Sequence, residues 1–228
     1  MVRRLTAEFA GTGLLVTAVV GSGIAAVRLS PTDVGLQLLE NALATGFALT
    51  VLIVVFGPVS GAHFNPVVSV ADWWLNRGDG HGLPGRHVPG YVAAQMCGAV
   101  AGAVLADVMY GLPAVSWSTA IRTGTGLWLG EVVATAGLVL VIFALVRSGL
   151  SSWVAPVVGA YIAAAYWFTS STSFANPAVT IGRSFTDTFA GIAPASVPAF
   201  VAAQLVGGAV GVVAAVWWFP RPARQMGA

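Results

Sequence analysis

The segments Ser60-Gly61-Ala62-His63-Phe64-Asn65-Pro66-Val67 and Ala175-Asn176-Pro177-Ala178 decide how this chain folds. Asn is a favoured N-cap because its side-chain oxygen accepts from an N–H of the first helical turn, and Pro suits the next position. Each Asn-Pro pair therefore predicts a helix start. The pairs occupy corresponding places in two apolar halves, and irregular backbone inside a membrane must be buried in protein or line a water-filled space. We therefore predict a membrane-buried site at Asn65 and Asn176.

The composition is that of an integral membrane protein. Of the 228 residues, 57% are hydrophobic and 8% are charged, against about 25% charged in soluble proteins. The mean hydropathy is +0.85. Apolar stretches of about 20 residues, the length that crosses a bilayer, predict six spans: Leu5–Val27, Leu38–Phe56, Val88–Tyr110, Leu127–Val146, Ser152–Phe168 and Ser196–Phe219. We expect a single transmembrane domain over residues 1–228.

The charge distribution predicts the orientation of the chain. The net charge of +2 comes from arginine, since the sequence has no lysine. Seven of the ten arginines fall on one side of the predicted spans: Arg3, Arg4, Arg77, Arg86, Arg147, Arg221 and Arg224. Because cytoplasmic loops are enriched in Lys and Arg, we expect a multi-pass protein of the cell membrane with both termini in the cytoplasm. No clustered basic face indicates a nucleic-acid partner.

An internal duplication divides the chain into repeats of about residues 1–115 and 120–220. The segment 91–98 matches 200–207 at an offset of 109, the Asn-Pro pairs recur at 111, and Glu8 recurs as Glu131 at 123. Three spans per repeat is an odd number, so the two copies enter the membrane from opposite sides. The expected fold class is an all-α membrane protein with an inverted 3+3 repeat.

These residues resemble the signatures of the aquaporin, or major intrinsic protein, family. The segment 60–67 is similar to the first signature and 176–178 matches the second, and the likeness covers nearly the whole chain. The resemblance implies six transmembrane helices plus two re-entrant half-helices that meet at mid-membrane. It also implies a homotetramer in the lipid bilayer, with one pore per subunit. The pore motifs that it carries over are Asn65, Pro66, Val67, Asn176, Pro177 and Ala178.

The physical chemistry of the motifs agrees with a pore for neutral solutes. A helix N-terminus carries about half a positive charge, so two of them at one pore centre disfavour a cation. The amides of Asn65 and Asn176 can donate to a passing oxygen, while nearby loop carbonyls can accept. The alternative is that each Asn only caps its helix. A polar capping residue at the depth of the lipid chains is rare without a functional role. This favours the interpretation that both Asn side chains also face the pore.

Glu8 and Glu131 are carboxylates inside predicted spans, where ionisable groups are rare and usually committed to a role. The resemblance implies that they accept hydrogen bonds from loop N–H groups and support the half-helices. The alternative is a proton relay in a coupled secondary transporter, which also uses inverted repeats and broken helices. No intramembrane Lys or Arg partner is evident, which favours loop support. His63 is expected at a carbonyl-supplying loop position, although a histidine there could also gate by protonation.

The family's constriction, carried over by matching segments, gives Phe47 in the second span, Ser173 before the second motif, and Ala164, Ala165 or Tyr166 in the fifth span. Most water-selective relatives have an arginine directly after the second motif, where this chain has Val179. Arg183 follows four residues later, and it either lines an outer vestibule or is a solvated loop residue. The missing guanidinium predicts a more permissive filter. Residues 176–183 also resemble a bacterial branch associated with arsenic resistance, which implies neutral arsenous acid as a further solute.

The sequence predicts a passive channel rather than an enzyme. No His, Cys or carboxylate cluster has metal-ligand spacing, and no nucleotide loop or nucleophile motif is found, so we expect no cofactor. The expected solutes are water, glycerol and similar neutral molecules, with protons and ions excluded. An ion- or proton-coupled secondary transporter is the alternative.

Overall fold

A computed structural model describes residues 1–77 and 82–220, and the regular secondary structure in these ranges is helical. Within them the chain forms eight α-helices: α1 (Val2–Leu29), α2 (Val34–Ser60), α3 (Pro66–Asn76), α4 (Val88–Met109), α5 (Thr125–Arg147), α6 (Val154–Phe168), α7 (Pro177–Gly182) and α8 (Val197–Trp218). Single 3₁₀ turns precede α4, α6 and α8, and another, Arg183–Phe185, follows α7. Arg221 and Arg224 lie outside the described residues.

Six of these helices correspond to the six predicted spans. In the described part of the chain, α1, α2, α5, α4 with its preceding turn and α8 with its preceding turn are long and apolar enough to cross a membrane. The remaining span, α6, has 15 residues and is about 22 Å long at 1.5 Å per residue. The prediction of an all-α membrane fold with six long helices and two half-helices is confirmed.

The two half-helices begin at the Asn-Pro pairs. The side-chain oxygen of Asn65 accepts from the Val67 N–H at 2.9 Å, and that of Asn176 accepts from the Ala178 N–H at 3.0 Å. Both Asn residues have extended backbone, with Pro at the next position. Because α3 has 11 residues and α7 has 6, neither is long enough to cross a bilayer.

Helices α1–α4 and α5–α8 follow the same order, and they pack in equivalent pairs. Helix α1 packs against α4 as α5 packs against α8, and α2 packs against α6. Glycine makes these contacts possible: a Cβ atom on Gly98 would lie 2.2 Å from the carbonyl oxygen of Phe9, and one on Gly207 would lie 2.5 Å from that of Val132. Small residues at these positions let the helix backbones approach closely.

The outer surface is strongly apolar, as a lipid-facing surface requires. Large exposed side chains include Phe47, Val213 and Trp217, which are 68%, 67% and 80% exposed. Polar groups are instead buried between helices, among them Glu8, Gln95 and their repeat counterparts. This distribution, with the long apolar helices, identifies a multi-pass membrane protein.

Candidate functional site

A cavity of about 750 Å³ runs between the helices and reaches both Asn-Pro motifs. Its wall includes residues of α2 and α6, parts of α1 and α5, the two loops that precede the half-helices, and residues of the half-helices themselves. Asn65 and Asn176 both line it, and they are 3% and 6% exposed. The sequence-predicted pore residues are therefore brought together, although their segments are 111 positions apart in the chain.

Asn65 and Asn176 exchange hydrogen bonds with each other's loops. The Asn65 carboxamide donates to the carbonyl oxygen of Ala175 at 2.8 Å, and the Asn176 carboxamide donates to that of Phe64 at 2.7 Å. Each carboxamide carries two N–H bonds, and the second of each has no protein partner among the described residues. The exchange fixes the two half-helix starts against one another and leaves one N–H of each Asn without a protein partner among the described residues.

The loops before the half-helices have unusual backbone. Ala62 and Phe64 in the first loop both have φ +50°, and Ser173 and Ala175 in the second have φ +52° and +49°. Left-handed backbone in residues other than glycine costs roughly 1 kcal/mol or more. Such a conformation persists only where the surrounding structure holds it in place.

Glu8 supplies that support for the first loop from behind. Its carboxylate accepts hydrogen bonds from the His63 and Phe64 N–H groups at 3.0 and 2.8 Å and from the Ser60 hydroxyl at 2.6 Å. The Gln95 amide of α4 donates to the same carboxylate at 2.7 Å. Glu8 is fully buried and does not line the cavity.

Glu131 has the equivalent position behind the second loop. It accepts from the Phe174 and Ala175 N–H groups at 2.9 and 2.8 Å and from the Gln204 amide of α8 at 2.6 Å. Gln204 also donates to the Thr180 hydroxyl on α7 at 2.8 Å. Neither Gln95 nor Gln204 is among the site residues predicted from the sequence, although a polar residue repeated in two apolar spans was the available signal.

Four of the predicted filter residues line the cavity: Tyr166, Ser173, Val179 and Arg183. The Ser173 hydroxyl is buried and has no partner among the described residues. The Tyr166 hydroxyl lies 3.2 Å from that of Thr45 on α2, which also lines the cavity. The wall near the second motif thus presents three hydroxyl groups beside the apolar Val179 side chain.

The prediction that Phe47 lines this constriction is wrong. Phe47 is 68% exposed on the outer surface, and Thr45 lines the cavity instead. A helix turns by about 100° per residue, so an error of two residues moves a side chain to nearly the opposite face. Ala164, one of the fifth-span residues predicted for the constriction, is likewise exposed and does not line the cavity. Tyr166, two residues later, does line it.

Arg183 is buried rather than solvated. It is 3% exposed, its Nε donates to the Ala190 carbonyl, and its guanidinium carbon lies 3.4 Å from the centre of the Phe174 ring. It also lines a second cavity of about 200 Å³ together with Arg122. Burial in the loop before α5 lowers the pKa of Arg122 from its ordinary value.

His63 lies at the other end of the large cavity. Its Nδ1 is 3.1 Å from the Ser69 hydroxyl, and its Nε2 is 3.8 Å from the carboxylate of Asp72. Arg4 and Asp72 line the cavity near this end. This end of the cavity therefore carries charged groups of both signs.

Comparison with known proteins gives relatives over the whole chain. A family model described as "Major intrinsic protein" matches residues 1–152. The chain is 50% identical over 226 residues to "Aquaglyceroporin AqpS" of Rhizobium meliloti (strain 1021), covering 99% of this chain and 94% of that protein. It is 30% identical to "Probable aquaporin AqpM" of Archaeoglobus fulgidus, covering 99% and 98%.

A solved structure has the same fold. The X-ray structure of the aquaglyceroporin from Plasmodium falciparum matches with a TM-score of 0.72 and 24% identity, covering 96% of each chain. At that identity the structural match shows the fold alone. The sequence matches also show that the chain is homologous to these proteins. This chain therefore belongs to the major intrinsic protein family and is a membrane channel, not an enzyme.

Proposed function

We propose that this chain is a passive channel for water, glycerol and other small uncharged solutes. The observation that carries the proposal is the reciprocal bonding of Asn65 and Asn176 to each other's loops, which joins two half-helix starts in the cavity wall. The name of the 50% identical relative, an aquaglyceroporin, supports it.

The chemistry of the wall favours neutral solutes. Each Asn retains one N–H that can donate to the oxygen of water or of an alcohol. Glu8 and Glu131 are turned toward the backs of the loops, so neither carboxylate offers a cation a place in the wall. The positive ends of the half-helices add an electrostatic barrier. A cation would lose hydration there without gaining an anionic ligand, whereas a hydroxylated molecule exchanges one set of hydrogen bonds for another.

The finer proposal concerns the filter, which we assign to Thr45, Tyr166, Ser173 and Val179. Three hydroxyls can each donate or accept. Val179 presents an apolar side chain at the position where most water-selective relatives have an arginine, while Arg183 lines the cavity four residues later. This combination suits molecules with several hydroxyl groups. Glycerol is one such molecule, and neutral arsenous acid, with three hydroxyl groups, is another.

Osmotic flux in reconstituted vesicles tests the function. Stopped-flow light scattering should show rapid shrinkage by water and rapid re-swelling with glycerol or arsenous acid, independent of any ion gradient. Thr45→Val should change the ratio of glycerol to water flux, whereas Phe47→Leu, on the outer surface, should leave it unchanged. Water flux with exclusion of both larger solutes would refute the permissive filter. Saturable uptake driven by a proton or ion gradient would refute the channel itself.

We further propose a homotetramer in the cell membrane, with one pore in each subunit and both termini in the cytoplasm. The broad apolar surface supports embedding in a bilayer, and Arg3, Arg4, Arg77 and Arg147 support the orientation. Residues 1–228 would then form one channel domain built from the two repeats. Native mass spectrometry tests the homotetramer. The accessibility of terminal tags in sealed vesicles tests the orientation of the termini.

A further inference from the structure

We propose that the smaller cavity binds a free tetrahedral oxyanion, such as sulfate or phosphate, between Arg122 and Arg183. The cavity has a volume of about 200 Å³, and since a water molecule takes up about 30 Å³ of the liquid, it has room for such an ion. Arg183 lines both this cavity and the large one, so it lies between them. Asn41 and Thr172 add polar groups to the wall.

The two guanidinium groups are held in place by one short segment. The Nε of Arg122 donates to the Gly191 carbonyl at 2.9 Å and its Nη2 donates to that of Phe189 at 3.4 Å. The Nε of Arg183 donates to the carbonyl of Ala190, between them. Three consecutive carbonyls therefore orient both arginines before any ligand arrives.

The same ring lies beside both cations. The guanidinium carbon of Arg183 is 3.4 Å from the centre of the Phe174 ring, and that of Arg122 is 5.1 Å from it. The terminal nitrogens of Arg183 donate to no protein group among the described residues, although the residue is 3% exposed. Unused donors on a buried, fixed guanidinium match the geometry of an oxyanion.

The local charge is positive. No carboxylate stands among the described residues that line this cavity. Glu131 interacts electrostatically with both arginines, but its oxygens already accept three N–H bonds from the second loop and Gln204. Two cations thus share one occupied carboxylate, and a charge as buried as that of Arg183, which is 3% exposed, is unfavourable without an anionic partner. An anion in the cavity supplies the missing partner.

An anion bound here would lie at one end of the pore and slow solute passage. This consequence rests on the proposed function, but the binding does not. The two are therefore measured separately, the binding on purified protein in a phosphate-free detergent and the flux in vesicles.

Isothermal titration with sulfate, at constant ionic strength maintained with chloride, tests the binding. We expect saturable binding of one ion per chain by the unaltered protein. Arg122→Gln should weaken it roughly ten- to a hundredfold, as expected for loss of charge-assisted hydrogen bonds, and Arg122→Lys should retain part of it. Arg28→Gln is the matched control, because Arg28 contacts Tyr110 and does not line the cavity.

Two results overturn the site. One is the absence of saturable binding in the unaltered protein, which decides the matter even if the variants fail to fold. The other is equal binding by folded Arg122→Gln. Saturable binding of a short-chain phospholipid, with no binding of sulfate, would overturn the assignment to a free ion. If binding holds but no solute flux exists in sulfate or chloride, the proposed function fails while the site stands.

Discussion

Replacing Glu131 with Gln tests how the second loop is held. One carboxylate oxygen accepts from the Phe174 N–H, and the other accepts from both the Ala175 N–H and the Gln204 amide. A glutamine has one acceptor oxygen, so at least one of these donors must face an NH₂ group instead. The residue is fully buried, and water cannot take the place of the lost acceptor.

The magnitude follows from the number of donors. One or two buried donors lose their acceptor, and each costs about 1–3 kcal/mol, so we expect the free energy of unfolding to fall by about 1–6 kcal/mol. The released loop would also shift Ser173 and the Ala175 carbonyl, and water flux should fall with stability. Denaturant or thermal unfolding in detergent and stopped-flow flux in vesicles measure the two effects.

Glu40→Gln is the matched control for this substitution. Glu40 lies near the start of α2 and accepts from the Ser30 hydroxyl at 2.8 Å, a bond that a glutamine oxygen can keep. It should change stability by less than about 1 kcal/mol. Unchanged stability and flux in Glu131→Gln would refute loop support, and proton-driven accumulation that disappears in this variant would assign Glu131 to a relay.

Four further substitutions test other features of the protein. Asn65→Ala and Asn176→Ala should each lower stability by about 1–2 kcal/mol through loss of a cap, and the double variant should lose less than the sum because the two loops are coupled; additive losses in denaturant unfolding would argue against coupling. Val179→Arg places a second cation in the wall near Arg183 and should reduce glycerol flux more than water flux; an equal reduction of both would contradict the filter assignment. Gly102→Ala, whose Cβ would lie 2.1 Å from the Gly13 carbonyl oxygen, should lower the unfolding temperature through overpacking of about 1–3 kcal/mol. Gly126→Ala, with no atom within 4 Å of the added Cβ, is its control, and equal effects would contradict close packing of α1 on α4.

The sequence was sufficient for the fold because the deciding signals are local. Asn65 caps its own helix, Pro66 fits the next position, and each apolar stretch is long enough to be read by itself. The repeat of Glu8 and Glu131 could likewise be recognised by its fixed place in each half. These features depend on neighbours in the chain, which a sequence displays directly.

The composition of the filter could not be predicted in full because it depends on helix rotation. The residue of α2 that faces the cavity can be found from the sequence only by counting back from Asn65. That count depends on where the helix ends, and α2 continues to Ser60. An error of two residues selected Phe47 in place of Thr45. Arg183 is buried because α7 ends at Gly182 and a 3₁₀ turn follows, which brings the guanidinium against Phe174. Its partner carbonyl, that of Ala190, lies only seven residues later, but Arg122 comes from the loop before α5, far from Arg183 in the sequence.

A structure in lipid that shows ordered water in the pore tests the central claim most directly. We expect the carboxamide of Asn65 to contact the Ala175 carbonyl, that of Asn176 to contact the Phe64 carbonyl, and a file of water to pass both remaining N–H groups. Asn side chains that are far apart or turned toward lipid, with no water between the half-helix starts, would contradict the account.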